Sequence, residues 1–309
     1  MLSGEKILVT GVAGLGPFPI ASMLAKNNEV WGLARFGDAA TRRKVEAAGI
    51  RAFSADLGSG QFDGLPNNFT YLLHFAWRRA ELAQLEDAIR VNVEGSGLIL
   101  QHCRKAKAAL VISSMGVYST NEDPMYTYTE TDPIGRGSTP YAATSPATKV
   151  GLEGVARFCA RAFNLPVTIA RLNTVFGIAD HLSGNYHARL IQSVRAGESF
   201  PVPGDPNPHS PLHTDDMQSQ VEALLGEAGV PALTTNWCGD EVVTTQNAAK
   251  QIERLSGLPA MLKIVKTPGA PQGNAANPTR RRSITGPCNV SFSAGLERLY
   301  HALSESPPI

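Results

Sequence analysis

The chain is poor in the residues that staple small or secreted domains. Its four cysteines, Cys103, Cys159, Cys238 and Cys288, lie far apart and form no CxxC pair. A disulfide framework and a thiolate metal knuckle are therefore excluded, and a reducing compartment is expected. An excess of one charge is also missing: 28 Lys and Arg against 27 Asp and Glu leave a formal +1. That balance argues against a nucleic-acid groove or a membrane-surface patch. No apolar run reaches the roughly 18 residues that span a bilayer, and MLSGEKILVTG carries charge too early for a secretory signal. The expected location is the cytoplasm, and the expected partners are a small-molecule substrate or another copy of the chain. Metal spacing is lacking too, because His209 and His213 flank prolines with no third ligand near them.

What the chain does contain is alternation. KILVTG, NEVWGLAR, IRAFSADL, YLLHFAW, AALVISSMGVY and PVTIARLNTVFG are apolar runs of strand length, separated by stretches with helical periodicity. Strands apolar on both faces and alternating with helices predict an α/β fold with a doubly wound, Rossmann-type parallel sheet. Residues 1–177 are read as a dinucleotide-binding domain. Residues 178–309, with the proline-rich FPVPGDPNPHSPLHTDD and the irregular PGAPQGNAANPTRRRSITGP, are read as a smaller mixed substrate lobe, some of whose segments return to the main sheet. A chain of 309 residues buries roughly 75% of its unfolded surface without staples.

The turn GVAGLGPFPIA follows the first apolar run. A strand-to-helix turn offers free backbone N–H groups and a helix dipole to a pyrophosphate, and glycine permits close approach. Gly11 and Gly14 have the right spacing, and Pro17 stands where its missing N–H costs little. The other reading is an ordinary tight turn. At the end of the second run stands Arg35, followed by Arg42, Arg43 and Lys44. An acid there would grip the ribose of NAD, whereas an arginine suits the extra phosphate of NADP; a solvated basic helix face is the alternative. Asp56 is placed either to meet an adenine ring or to cap the turn after it.

The ordered set TGVAGLG, ADL, LHFAW, VNVEG, VISSMGVY, KVGLE, ARLNTVFG and LHTDDM resembles the extended short-chain dehydrogenase/reductase family, which includes nucleotide-sugar epimerases and dehydratases, over nearly the whole chain. The resemblance implies that Gly11, Ala13, Gly14 and Leu15 hold the pyrophosphate, Asp56 and Leu57 flank the adenine, and Ala76 lies along a ribose. Asn92 would brace the sheet, and the backbone of Leu172, Asn173 and Thr174 would border the nicotinamide. It also implies that Asp216 anchors the second lobe, with homodimerisation as a family expectation. The family pairs a tyrosine with a lysine four residues later, supported by a hydroxyl at the end of the fifth strand. Ser114 suits that hydroxyl. Lys149, four residues before Glu153 and 22 before Arg171, matches the family lysine, which places Ser145 at the tyrosine position. A serine hydroxyl is too weak an acid for the phenol's role. Ser145 before Pro146 instead reads as an N-cap with proline at the first helical position. Tyr141, just upstream, or Lys149 itself would then move the proton. Trp77 either crowds the nicotinamide side of the cleft or packs in the core.

The leading expectation is an NADP-dependent oxidoreductase passing hydride between nicotinamide and a small or medium carbonyl or alcohol. Two alternatives remain: an epimerase or dehydratase of nucleotide-sugar type with retained NAD, and a catalytically impaired, cofactor-binding regulatory protein. No clear cationic clamp for a sugar-nucleotide diphosphate stands out, although Arg189, Arg195 and the run Arg280, Arg281, Arg282 keep that substrate open.

Overall fold

The computed structural model describes residues 2–136, 143–179, 184–266, 268 and 270–305. Seven strands form its main sheet: β1 (Lys6–Thr10), β2 (Glu29–Ala34), β3 (Arg51–Ser54), β4 (Tyr71–His74), β5 (Ala108–Ser114), β6 (Val167–Leu172) and β7 (Leu233–Trp237). Their order is β7-β6-β5-β4-β1-β2-β3, and every neighbouring pair runs parallel. The chain winds outward from β1 through β2 and β3, then returns to the other side of β1 for β4. Between β1 and β4 the order reverses, and in such sheets the crevice at the carboxyl ends of those strands is where ligands bind.

Both faces of the sheet are apolar because both are covered. Leu8, Leu72, Ile99, Leu152 and Ile169 pack on one side; Ile7, Val9, Ile20, Leu73 and Leu110 pack on the other. Each such side chain contributes about 1.5–3 kcal/mol on burial. The helices begin with α1 (Pro17–Leu24) and α2 (Ala39–Ala47). Then α3 (Leu85–Ile89) continues through a π turn, Arg90–Glu94, into α4 (Gly95–His102). The long α5 (Ser145–Phe163) precedes β6 and ends on Asn164, which is left-handed at φ 50°.

Beyond β6 the chain builds a second cluster. It comprises α6 (Tyr186–Ala196), α7 (Thr214–Gly226), α8 (Thr245–Ser256), α9 (Thr279–Thr285) and α10 (Phe292–Glu305), with short two- to four-residue strands between them. Phe176, Leu190, Ile191, Phe200, Phe292 and Leu296 form its core. Two of its segments come back to the main sheet: β7 joins as the edge strand beside β6, and α7 packs Met217, Val221 and Leu224 into the core that holds Ile7 and Ile20. Among the described residues no helix is long and apolar enough to cross a membrane.

Candidate active site

The glycine turn closes β1 onto α1. Gly11 sits at φ +68°, and a Cβ there would lie 2.9 Å from the backbone of Ala76, so two independent constraints demand glycine. Its N–H donates to the Leu33 carbonyl at 2.7 Å, and the N–H of Gly14 donates to the Gly11 carbonyl at 3.0 Å. The N–H groups of Ala13, Leu15 and Gly16 take no acceptor among the described residues. They stand just before a helix whose first residue, Pro17, and third, Pro19, have no N–H. The donors available to a pyrophosphate are thus concentrated in the turn, and that cradle fits a dinucleotide.

At the adenine end Asp56 caps the short 3-10 turn Leu57–Ser59, accepting from Gly58 N–H at 3.0 Å. Its other oxygen lies 3.5 Å from Arg90, which pairs with Asp87 at 2.6 Å. The basic group near β2 disperses. Arg42 pairs with Glu46, and the Lys44 amine lies 4.3 Å above the Phe18 ring. Arg35 is exposed at the end of β2, with no carboxylate paired to it among the described residues.

The wall beneath the crevice is a buried polar chain. His74 joins Thr10 Oγ1 and Ser96 Oγ, each at 2.8 Å. Ser96 donates onward to the Asn92 carbonyl, and Thr10 Oγ1 accepts from Ala76 N–H. With both of those directions set, His74 Nε2 carries the hydrogen and Nδ1 accepts. Burial, reinforced by the Lys149 charge, holds His74 down at about 3, so it stays neutral. Asn92 clamps the loop after β4 from both sides of one residue, accepting from Arg78 N–H at 2.6 Å and donating to its carbonyl at 2.9 Å.

Lys149 is 5% exposed. Its amine donates to the Ile112 carbonyl at 2.6 Å and lies 5.8 Å from the centre of the half-buried Trp77 ring. Burial pushes the amine down to about 7, against the opposing pull of the Glu153 carboxylate. Glu153 is itself committed: it accepts from Ser113 at 2.6 Å and from Arg171 Nε and Nη2 at 2.9 and 2.8 Å. Ser114, one residue beyond Ser113, accepts from Gly116 N–H at 3.0 Å, and among the described residues its own hydroxyl hydrogen has no acceptor. Ser145 is buried as the first residue of α5 rather than its cap. The helix starts one residue earlier than expected because Thr148 N–H bonds the Thr144 carbonyl, which puts Pro146 second. The Thr144 side chain is turned to the Ala80 carbonyl, and neither residue caps the helix with its side chain. Tyr141 lies outside the described residues.

Other tyrosines are spoken for. Tyr118 donates to Asn236 Oδ1 at 2.6 Å, and burial pushes its hydroxyl up to about 12. Tyr126 donates to Asp132, and Tyr128 accepts from Asn121 N–H. Just past the end of β6, Asn173 accepts from Thr174 N–H and donates to the Asn274 carbonyl, which ties the crevice to the second lobe, while Leu172 ends the strand. Asp216 accepts from the N–H groups of Asn289 and Val290 ahead of α10. Arg195 donates to the Leu303 carbonyl. Arg281 is fully buried against Asp240, and Arg280 donates to the Thr234 carbonyl; these three cations serve the fold. His209 is half-buried, and desolvation lowers it to about 4, so it stays neutral. Among the described residues no group of His, Cys, Asp or Glu gathers to hold a metal.

A doubly wound sheet, a glycine turn at its switch point and a buried lysine that reaches from α5 to the fifth strand define the class of extended short-chain dehydrogenase/reductases, which bind a nicotinamide nucleotide. Within that class the chain belongs to the NAD dependent epimerase/dehydratase family, whose model matches residues 7–228. Among solved structures, the UDP-glucuronic acid 4-epimerase from Bacillus cereus, in complex with UDP-glucuronic acid and NAD, is similar at TM-score 0.83 and 21% identity, over 97% of this chain and 99% of that one. The dTDP-glucose 4,6-dehydratase DesIV from Streptomyces venezuelae, with NAD bound, is similar at TM-score 0.80 and 22% identity, over 97% of each chain. Among curated proteins none matches the sequence.

Proposed function

We propose that the chain is an oxidoreductase of epimerase/dehydratase type in which Lys149 takes the proton-transferring part that a tyrosine plays elsewhere in the family. The carrying observation is the pairing of Ser145, at the tyrosine position by resemblance, with a buried amine that titrates at about 7. A group with that pKa is half ionised at neutral pH and serves as either acid or base. Ser114 would orient the substrate oxygen with its free hydroxyl hydrogen. The N–H groups of Ala13, Leu15 and Gly16 would hold the pyrophosphate, and Ala76, fixed by Thr10, would border the ribose. When bound, the nicotinamide supplies hydride transfer at its C4.

NAD as a retained cofactor is supported by the NAD found in the similar epimerase and dehydratase. A second reading, a net NADP-dependent reductase of small carbonyl compounds, is favoured by Arg35, exposed where NAD enzymes carry an acid. Fluorescence titration with NAD and NADP separates the two, together with analysis of the nucleotide that copurifies.

Proton transfer is tested by pH. Alcohol oxidation needs the neutral amine, so its kcat/KM rises through about pH 7 and then levels. Carbonyl reduction needs the ammonium and falls above the same pH. Lys149→Met lowers kcat by about 10²–10⁴-fold, whereas Tyr141→Phe leaves it nearly unchanged. A pH profile flat through 7, or a Lys149→Met enzyme at full rate, removes Lys149 from this part.

A further inference from the structure

Arg136, Arg171 and Arg281 are buried arginines, at 6%, 3% and 0% exposure. Arg171 is paired along one edge of its guanidinium, Nε and Nη2 each donating to an oxygen of Glu153. Arg281 is paired with Asp240. Arg136 presents the same Nε–Nη2 edge, and among the described residues neither nitrogen has a hydrogen-bond partner. Its Nη1 makes a long contact to Asn274 Oδ1 at 3.5 Å, and the guanidinium lies 5.9 Å from the centre of the Tyr128 ring. A buried charge without a counterion is costly, and a fork of this geometry matches a carboxylate.

The position of Arg136 connects it to the crevice. Gly135 donates to the Val117 carbonyl at 2.8 Å and Ile134 bridges Tyr118, which places Arg136 beside the turn that follows Ser114. Its contact Asn274 is held by Asn173 at the end of β6. Its contacts Asn274 and Tyr128 bring it no carboxylate, and His209, which bridges Asn274 through the backbone, is held low by desolvation and adds no charge.

We infer that the Nε–Nη2 edge of Arg136 is a substrate subsite that receives a carboxylate, so that the substrate is an acid, such as a sugar acid or hydroxy acid. The inference rests on the reading of this crevice as the reaction site. Both nitrogens are shielded from solvent, so a carboxylate must displace whatever covers that edge to reach them. Once seated, the acid is bound out of competition with solvent.

Matched pairs test it: UDP-glucuronic acid against UDP-glucose and D-glucuronate against D-glucose, with inorganic phosphate as a further probe, read by calorimetric titration and thermal shift on the full chain. The acid member of at least one pair is expected to bind about 10- to 100-fold tighter. Arg136→Met and Arg136→Lys should each abolish most of that preference, because methionine lacks the charge and lysine lacks the fork. With only the long contact to Asn274 and the ring contact to Tyr128 lost, and a buried unpaired charge removed, the melting temperature of Arg136→Met is expected to hold or rise. Acid preference that survives in Arg136→Lys, or its absence from both pairs in the unmodified protein, overturns the inference. So does a fall of several degrees in melting temperature for Arg136→Met, which marks a structural cation. Phosphate protection with the same dependence on Arg136 replaces the carboxylate by another anion. Titration of NAD in the same samples reports the cofactor site separately, so failure of the subsite and failure of the redox reading are distinguishable.

Discussion

Single residues here are governed by what burial does to charge. Burial pushes Lys149 down to about 7 when folded, against an ordinary lysine value of 10.5, so unfolding takes up a proton anywhere between those values. Stability therefore rises with pH across that window and is lowest below 7, where the folded chain carries a buried ammonium. The handicap is a few kcal/mol, at about 1.4 kcal/mol per pKa unit. Lys149→Met should raise the melting temperature markedly at pH 6 and progressively less toward pH 10, as followed by circular dichroism. Gly11→Ala is the opposite case. Its new Cβ meets the Ala76 backbone at 2.9 Å in a left-handed conformation, so a loss of at least about 1–2 kcal/mol is expected in denaturant titrations, with weaker dinucleotide binding.

At the scale of elements, the legibility of the chain followed the continuity of apolar runs. The strands β1, β2, β4, β5 and β6 are continuous apolar runs because helices cover both sides, and they were readable on that ground. β7 was not. Its Leu-Thr-Thr-Asn-Trp mixes polar residues into a buried edge strand, where Asn236 accepts from Tyr118 and donates to the Tyr128 carbonyl. Those partners stand more than a hundred residues away, out of reach of any local pattern. Asn236→Leu leaves both unpaired, and a loss of about 2–4 kcal/mol is expected in the denaturation midpoint. His74 was missed for a similar reason: it reads as one polar residue in YLLHFAW, and its three-element hydrogen-bonded chain exists only once β1, β4 and α4 are assembled. Arg136 had no motif at all.

For the whole molecule, histidines held low by desolvation set the acid limit: His74 and His187 are buried and His209 is half-buried. Burial lowers His74 and His187 to about 3 and His209 to about 4, while the unfolded chain protonates near 6.5. Each therefore binds a proton on unfolding once the pH falls below 6.5, and stability drops steadily from there toward pH 4. Melting temperatures measured from pH 7 to 4 should decline over that range, with up to about three protons taken up per unfolding event. A flat profile would mean that the histidines are solvated in the folded chain.

The sequence by itself determined the doubly wound sheet and the glycine turn after its first strand, because periodicity and short spacing are written along the chain. Tertiary structure alone decided which charges are paired, which are buried and which way each side chain turns. It sent the Lys149 amine to the Ile112 carbonyl and left one edge of Arg136 without a carboxylate. Pairing and desolvation depend on neighbours distant in sequence, and those neighbours meet only when the sheet and the second lobe close together.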